Sequence, residues 1–238
     1  MELKFASADQ NRHDPIFIVG QLLILLCVLF LIYYFHLTGL AISLLLIVVT
    51  NYFLSIPKKR FDNLGIGKNN FDNINVLSML FLGVAAEFTF QVIINPSIEI
   101  VFKEEINLLD FYRIKNNVGF YILMVIYGWV EGGIIEELIY RGFVLNNLMK
   151  VLSRFTDNSK ITSVISVLIV SIFFGLSHSY QGISGVISTG LFSALLSIVY
   201  IKSGKNTFYS IILHGFIDTT AFTIIYLDLN TPLRNLIF

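Results

Sequence analysis

Eight ionisable side chains stand inside or beside stretches that are otherwise free of charge: Glu87, Glu131, Glu136, Glu137, Arg141, His178, His214 and Asp218. An ionisable group in hydrocarbon costs roughly 2.5 to 3.5 kcal/mol on insertion scales, so each needs a reason to be there. Five carboxylates face one arginine. A shared buried site would therefore carry excess negative charge unless protons or a cation neutralise it. That imbalance fits catalysis or ion handling better than structural glue.

Helix geometry separates the two adjacent glutamates. Glu137 and Arg141 stand at i and i+4 with the acid first, the favoured order for an ion pair on one helix face. Glu136 is rotated by about 100° and lacks that partner, which suits a group that takes and returns a proton. The alternative is a structural clamp with Glu136 in a solvated vestibule. Further along, Phe174 precedes His178 by four residues, and His214 precedes Asp218 by four, so the imidazole and the carboxylate share a helix face. Together these residues contain what water-mediated amide hydrolysis needs: a base, an orienting imidazole, and donors or a metal for the oxyanion.

The elements that must position them are membrane helices. The 238-residue chain is 55% hydrophobic and only 13% charged, with a mean hydropathy of +0.77, which excludes a soluble globular domain. Uncharged runs cover residues 16–37, 39–56, 74–94, 118–145, 161–177, 183–201 and 207–227, most near the ~20 residues that cross a bilayer. The expected fold is all-α, a polytopic bundle of about seven transmembrane helices. Continuous runs rather than alternating ones argue against a barrel. The fourth run is long and is expected to leave the membrane or break near Gly132 and Gly133. There are no repeats, and no soluble block is large enough for a second domain. The chain divides into residues 1–115, the first three helices with their loops, and 116–238, which carry the chemistry.

Sixteen basic residues balance sixteen acidic ones, so nothing points to nucleic acid. With the N-terminus inside, eleven basic residues fall in cytoplasmic segments and four in outer ones. That bias orients a multi-pass protein of the cytoplasmic membrane with its N-terminus in the cytoplasm. No cleavage pattern follows the first apolar run, so that helix is expected to be retained. The single Cys27 cannot form an intrachain disulfide and is read as a packing residue. Abundant Ile, Asn, Phe and Lys fit a bacterial source. Counting about 1.5 Å per residue from the cytoplasmic ends puts Glu136 about 14 Å and His214 about 11 Å deep, but His178 about 26 Å deep. The three would then stand at different levels.

The order EExxxR, FxxxH and HxxxD on successive membrane helices resembles the CPBP family of intramembrane proteases, also called the CAAX protease and bacteriocin-processing or Abi family. The resemblance spans residues 136–218 and implies an endopeptidase acting on a peptide or membrane-protein substrate in the lipid bilayer. It implies Glu136 as the water-activating base, His178 as its partner, and His214 with Asp218 as oxyanion stabilisers or metal ligands. Glu137, Arg141 and Phe174 would be structural support. Asp218 departs from the Asn of the eukaryotic CAAX endopeptidase, and an aspartate cannot donate from an amide. The family has been read both as metal-dependent and as metal-free. If a Zn²⁺ binds, its ligands are expected among Glu136, His178, His214 and Asp218, the aspartate supplying an anionic donor.

Other readings remain open at this stage. Gly182-Ile183-Ser184-Gly185 resembles the GxSG of rhomboid serine proteases, with His214 as base, but leaves the Glu136 cluster unexplained. A small proton-coupled transporter would use the acids and histidines as a relay, yet paired half-repeats are absent. A non-catalytic scaffold or bacteriocin-immunity factor could keep the same motifs.

Overall fold

The computed structural model describes residues 73–234, with 64–66, 236 and the isolated positions 19, 20 and 23. The runs at 16–37 and 39–56, Cys27 and most of the N-terminal charges used to orient the chain lie outside the described residues. Within them every regular element is helical and no strand occurs.

Five helical rods are long and apolar enough to cross a membrane, and they match the last five uncharged runs. The first joins α1 (Asn73–Thr89), a π-helical turn (Phe90–Ile94) and α2 (Asn95–Phe102). The second begins as α3 (Val118–Tyr127) and continues through π-helical turns at Gly128–Glu136 and Leu138–Leu145 into α4 (Asn146–Leu152). The others are α5 (Ser159–Ser177), α6 (Gly182–Lys202) and α7 (Thr207–Tyr226), and a short α8 (Asn230–Arg234) follows. The expected break at Gly132 and Gly133 does not occur. The chain widens to i→i+5 turns there and stays one rod to Leu152.

Asparagine starts three of these rods. The side chains of Asn117, Asn158 and Asn206 accept from the backbone N–H groups of Phe120, of Lys160 and Ile161, and of Phe208. These caps satisfy donors that a helix end would otherwise leave bare. α5 and α6 pack as an antiparallel pair whose backbones nearly touch, since a Cβ at Gly175 would run into the Val186 carbonyl oxygen. Small residues at such crossings are how helices approach closely without water to drive them together. α7 runs through the middle, packed against α1 on one side and the Gly128–Glu136 turns on the other.

The segment between α2 and α3 closes one end of the bundle. Glu104 accepts from the Ile183 N–H at the start of α6 (3.1 Å), and the Asn107 N–H donates to the Gln181 carbonyl (3.0 Å). This roof and the helices beneath it enclose the site.

Candidate active site

Arg141 and Glu137 form the buried centre. Arg141 Nη1 donates to Glu137 Oε1 at 2.8 Å with both side chains fully buried, which is the pairing that their spacing predicts. The other arm of the guanidinium, Nη2, donates to the backbone carbonyl (3.1 Å) and the hydroxyl (3.0 Å) of Ser193 on α6. Breaking such a pair strands a charge in low dielectric, so the two side chains act as a unit.

Glu137 does a second job that the sequence does not disclose. Its Oε1 also accepts from His214 Nδ1 at 2.8 Å, so the carboxylate joins the π-helical rod to α7 and fixes the imidazole's tautomer. With Nδ1–H committed, Nε2 is the remaining nitrogen of His214. It lies 3.6 Å from Asp218 Oδ1, too far for a direct hydrogen bond. The ring is held edge-on by Phe192, at 5.3 Å between centroids.

Phe174 is the hub on α5. The Arg141 guanidinium sits 5.0 Å from its ring centre, and Tyr140 packs edge-on at 4.9 Å. The His178 ring stacks on it at 4.8 Å and 28°, and the His214 ring stands at 6.3 Å. His178 ends α5, and its Nδ1–H donates back to the Phe174 carbonyl at 2.9 Å. That bond turns the ring back by one turn and leaves Nε2 without its proton as the free nitrogen. The difference in level counted from the sequence is absorbed in this way, and by a cavity that extends along the bundle from Tyr140 to Leu108 and Asp110.

That cavity, of about 570 Å³, is lined by Glu136, His178, His214 and Asp218 together with Glu87 and Glu131. It has the size of a small-ligand or peptide site. The Glu136 side chain faces the cavity, while Arg141 is taken by Glu137. Four of the five intramembrane carboxylates thus converge on one space, and the fifth, Glu137, stands behind His214.

Glycine lets α7 come this close. A Cβ on Gly132 would stand 2.7 Å from Asp218 Oδ2 and 3.1 Å from His214 Nε2, and one on Gly215 would meet the Trp129 indole at 2.6 Å. The Gly128-x-x-x-Gly132 spacing is the signal for this approach, read in the sequence only as a break point. Two further wall residues escaped the sequence reading, Gln91 and Asn95. They are uncharged polar side chains four apart in an apolar run, buried and facing the cavity.

Among the described residues no group of three or more His, Cys, Asp or Glu side chains is gathered so that it could hold a metal ion. Both Nδ1 atoms are engaged, by Glu137 and by the Phe174 carbonyl, so Nε2 is the remaining nitrogen of each imidazole. The rhomboid-like serine stands apart from this site. Ser184 is fully buried, donates its hydroxyl to the Glu104 carbonyl at 2.7 Å and does not line the cavity.

Residues 118–220 match the family model described as Rce1-like, type II CAAX prenyl endopeptidase. No curated protein and no solved structure matches the chain. The match begins at the first residue of α3 and ends inside α7, so it covers every residue of the three motifs and leaves out α1 and α2. The part of this multi-pass membrane chain that supplies Glu136, His178, His214 and Asp218 is thus similar to the Rce1-like domain of CAAX prenyl endopeptidases.

Proposed function

We propose that the chain is an intramembrane endopeptidase in which Glu136 activates water. The observation that carries this reading is the division of labour between neighbouring glutamates. Glu137 is consumed by Arg141 and His214, whereas Glu136 opens on the cavity that His178, His214 and Asp218 share.

In this mechanism a water between Glu136 and His178 Nε2 gives its proton to Glu136 as its oxygen adds to the scissile carbonyl. His178 orients the water, because its Nδ1–H is held by the Phe174 carbonyl and its other nitrogen can only accept. The oxyanion forms towards His214 Nε2. Because Nδ1–H is given to Glu137, Nε2 donates as the imidazolium, whose charge the flanking Glu137 and Asp218 carboxylates balance. Glu136 then passes its proton to the leaving amine as the C–N bond breaks. Asp218 serves as counter-charge to His214, a role open to an aspartate where an amide donor is lacking.

The substrate is a peptide or membrane protein that reaches the cavity from the bilayer. Phe90, Phe111, Tyr127 and Phe222 give the cavity an aromatic side that suits a lipid-bearing segment. The family description adds the expectation of a prenylated C-terminal peptide. The loop charges put the roofed end of the cavity on the outer face of the cytoplasmic membrane.

The test is mass-spectrometric mapping of products in proteoliposomes. A farnesylated CAAX-type peptide and its unmodified counterpart are the probes. Cleavage at one peptide bond, absent in His178→Ala, is expected. Turnover that survives in His178→Ala, or no peptide product at all, would overturn the reading.

A further inference from the structure

Hydrolysis inside a bilayer sets a problem that the residues matching the Rce1-like model leave unanswered. A substrate segment in the membrane satisfies its backbone by being helical, and a helical peptide bond is shielded from attack. Unwinding it frees N–H and C=O groups that lipid cannot solvate. An intramembrane site must therefore offer polar partners to an extended backbone as well as a base.

The rod made of α1, the Phe90–Ile94 turn and α2 carries three polar side chains at i, i+4 and i+8, Glu87, Gln91 and Asn95. All are more than nine-tenths buried, and all line the cavity. They are tied in place without being used up. Gln91 Nε2 donates to Glu87 Oε1 at 2.8 Å, and Asn95 Oδ1 accepts from Ser188 at 2.6 Å. Gln91 keeps an N–H and its carbonyl, and Asn95 keeps two N–H donors. The π-helical turn falls on Gln91 itself, and such turns gather at functional sites. None of these residues falls within the 118–220 match, so this wall belongs to the part of the chain that the family model does not describe.

The spacing fits an extended strand. Gln91 and Asn95 stand one turn apart along the rod, at most about 6 Å on its axis because the turn between them is π-helical, and their two flexible amides span the rest of the roughly 6.7 Å between alternate residues of an extended peptide. We infer that Gln91 and Asn95 hold the unwound backbone of the substrate, one amide to each of two alternating peptide groups, and so position the scissile bond against Glu136. They are positioning residues, and their effect falls on substrate binding. This inference rests on the peptidase reading of the same cavity.

The test uses the full chain with Glu136→Gln, which keeps the site but not the base. Its probe is a fluorescent farnesylated CAAX-type peptide with single amide-to-ester replacements at each peptide bond in turn, which remove the N–H and weaken the carbonyl as an acceptor. In this background, the replacement is expected to weaken binding roughly 5- to 10-fold at two positions two residues apart and little elsewhere. Adding Gln91→Met or Asn95→Leu is expected to erase one penalty each and leave the other. A penalty at every amide, or at none, overturns the inference alone, even if the two variants fail to accumulate. So do penalties that persist unchanged in both variants. Failure of the parent peptide to bind at all overturns both this inference and the peptidase reading.

Discussion

Gly132→Ala separates the fold from the chemistry. The new methyl carbon would stand 2.7 Å from Asp218 Oδ2 and 3.1 Å from His214 Nε2. A carbon and an oxygen rest comfortably at about 3.3 Å or more, so Asp218 must retreat by about 0.6 Å, the difference between 3.3 and 2.7. The atom that yields is the end of a rotatable side chain, which puts the stability cost near the low end of overpacking, about 1 kcal/mol. The functional cost is larger, because a displacement approaching 1 Å at a reacting centre is worth up to about 10²-fold in rate. A loss of roughly 10- to 100-fold in kcat is expected with little change in unfolding temperature. Gly215→Ala is the counterpart. Its methyl would meet ring atoms of Trp129 at 2.6 Å, and the indole is held by its Nε1–H donating to Thr219 at 3.0 Å. That rigid clash is expected to cost about 1 to 3 kcal/mol and to lower the yield of folded protein. Gly133→Ala, whose nearest neighbour would be 3.4 Å away, is the neutral control. Initial rates at equal folded protein, with thermal unfolding followed by size exclusion, distinguish the three. Wild-type turnover in Gly132→Ala, or loss of fold instead of rate, would refute the reasoning.

Glu137→Ala and Arg141→Ala are each expected to destabilise the protein by about 3 to 5 kcal/mol, because each strands a buried partner. The double variant should be no worse than the worse single, and strictly additive losses in the cycle would show that the pair is not coupled. Exhaustive chelation is expected to leave turnover intact, because in the proposed mechanism Glu136 takes the proton directly and His214 supplies the oxyanion donor. Activity lost on chelation and restored only by Zn²⁺ would refute that mechanism. Ser184→Ala should retain full turnover and lose about 1 kcal/mol at most, through its bond to the Glu104 carbonyl. An inactive but folded Ser184→Ala would revive the serine reading.

The helices and the charged residues that line the cavity are legible in the sequence because the bilayer simplifies both problems. Apolar runs near 20 residues mark the rods, and a charge inside one stands out against its surroundings. The Glu137–Arg141 pair follows from i, i+4 spacing, which survives even though the backbone there is π-helical. Three features did not show through. The widening of the rod at Gly128–Leu145 has no period of its own in so apolar a run, and its glycines read equally well as a break. The bond from Glu137 to His214 joins residues 77 apart, a relation that local spacing cannot carry. Gln91 and Asn95 bear no charge, so nothing in the sequence marks them as more than tolerated polar residues.

The central claim is that Glu136, and not its neighbour, is the base. Its most direct test is the single-turnover rate of Glu136→Gln beside wild type in proteoliposomes, with peptide affinity measured on the same samples. The substitution keeps shape and hydrogen bonding but removes the ability to take a proton. The expected result is a rate lowered by about 10² to 10⁴ with affinity within a few-fold of wild type. A Glu136→Gln protein that binds normally and still turns over above a few per cent of the wild-type rate would contradict it.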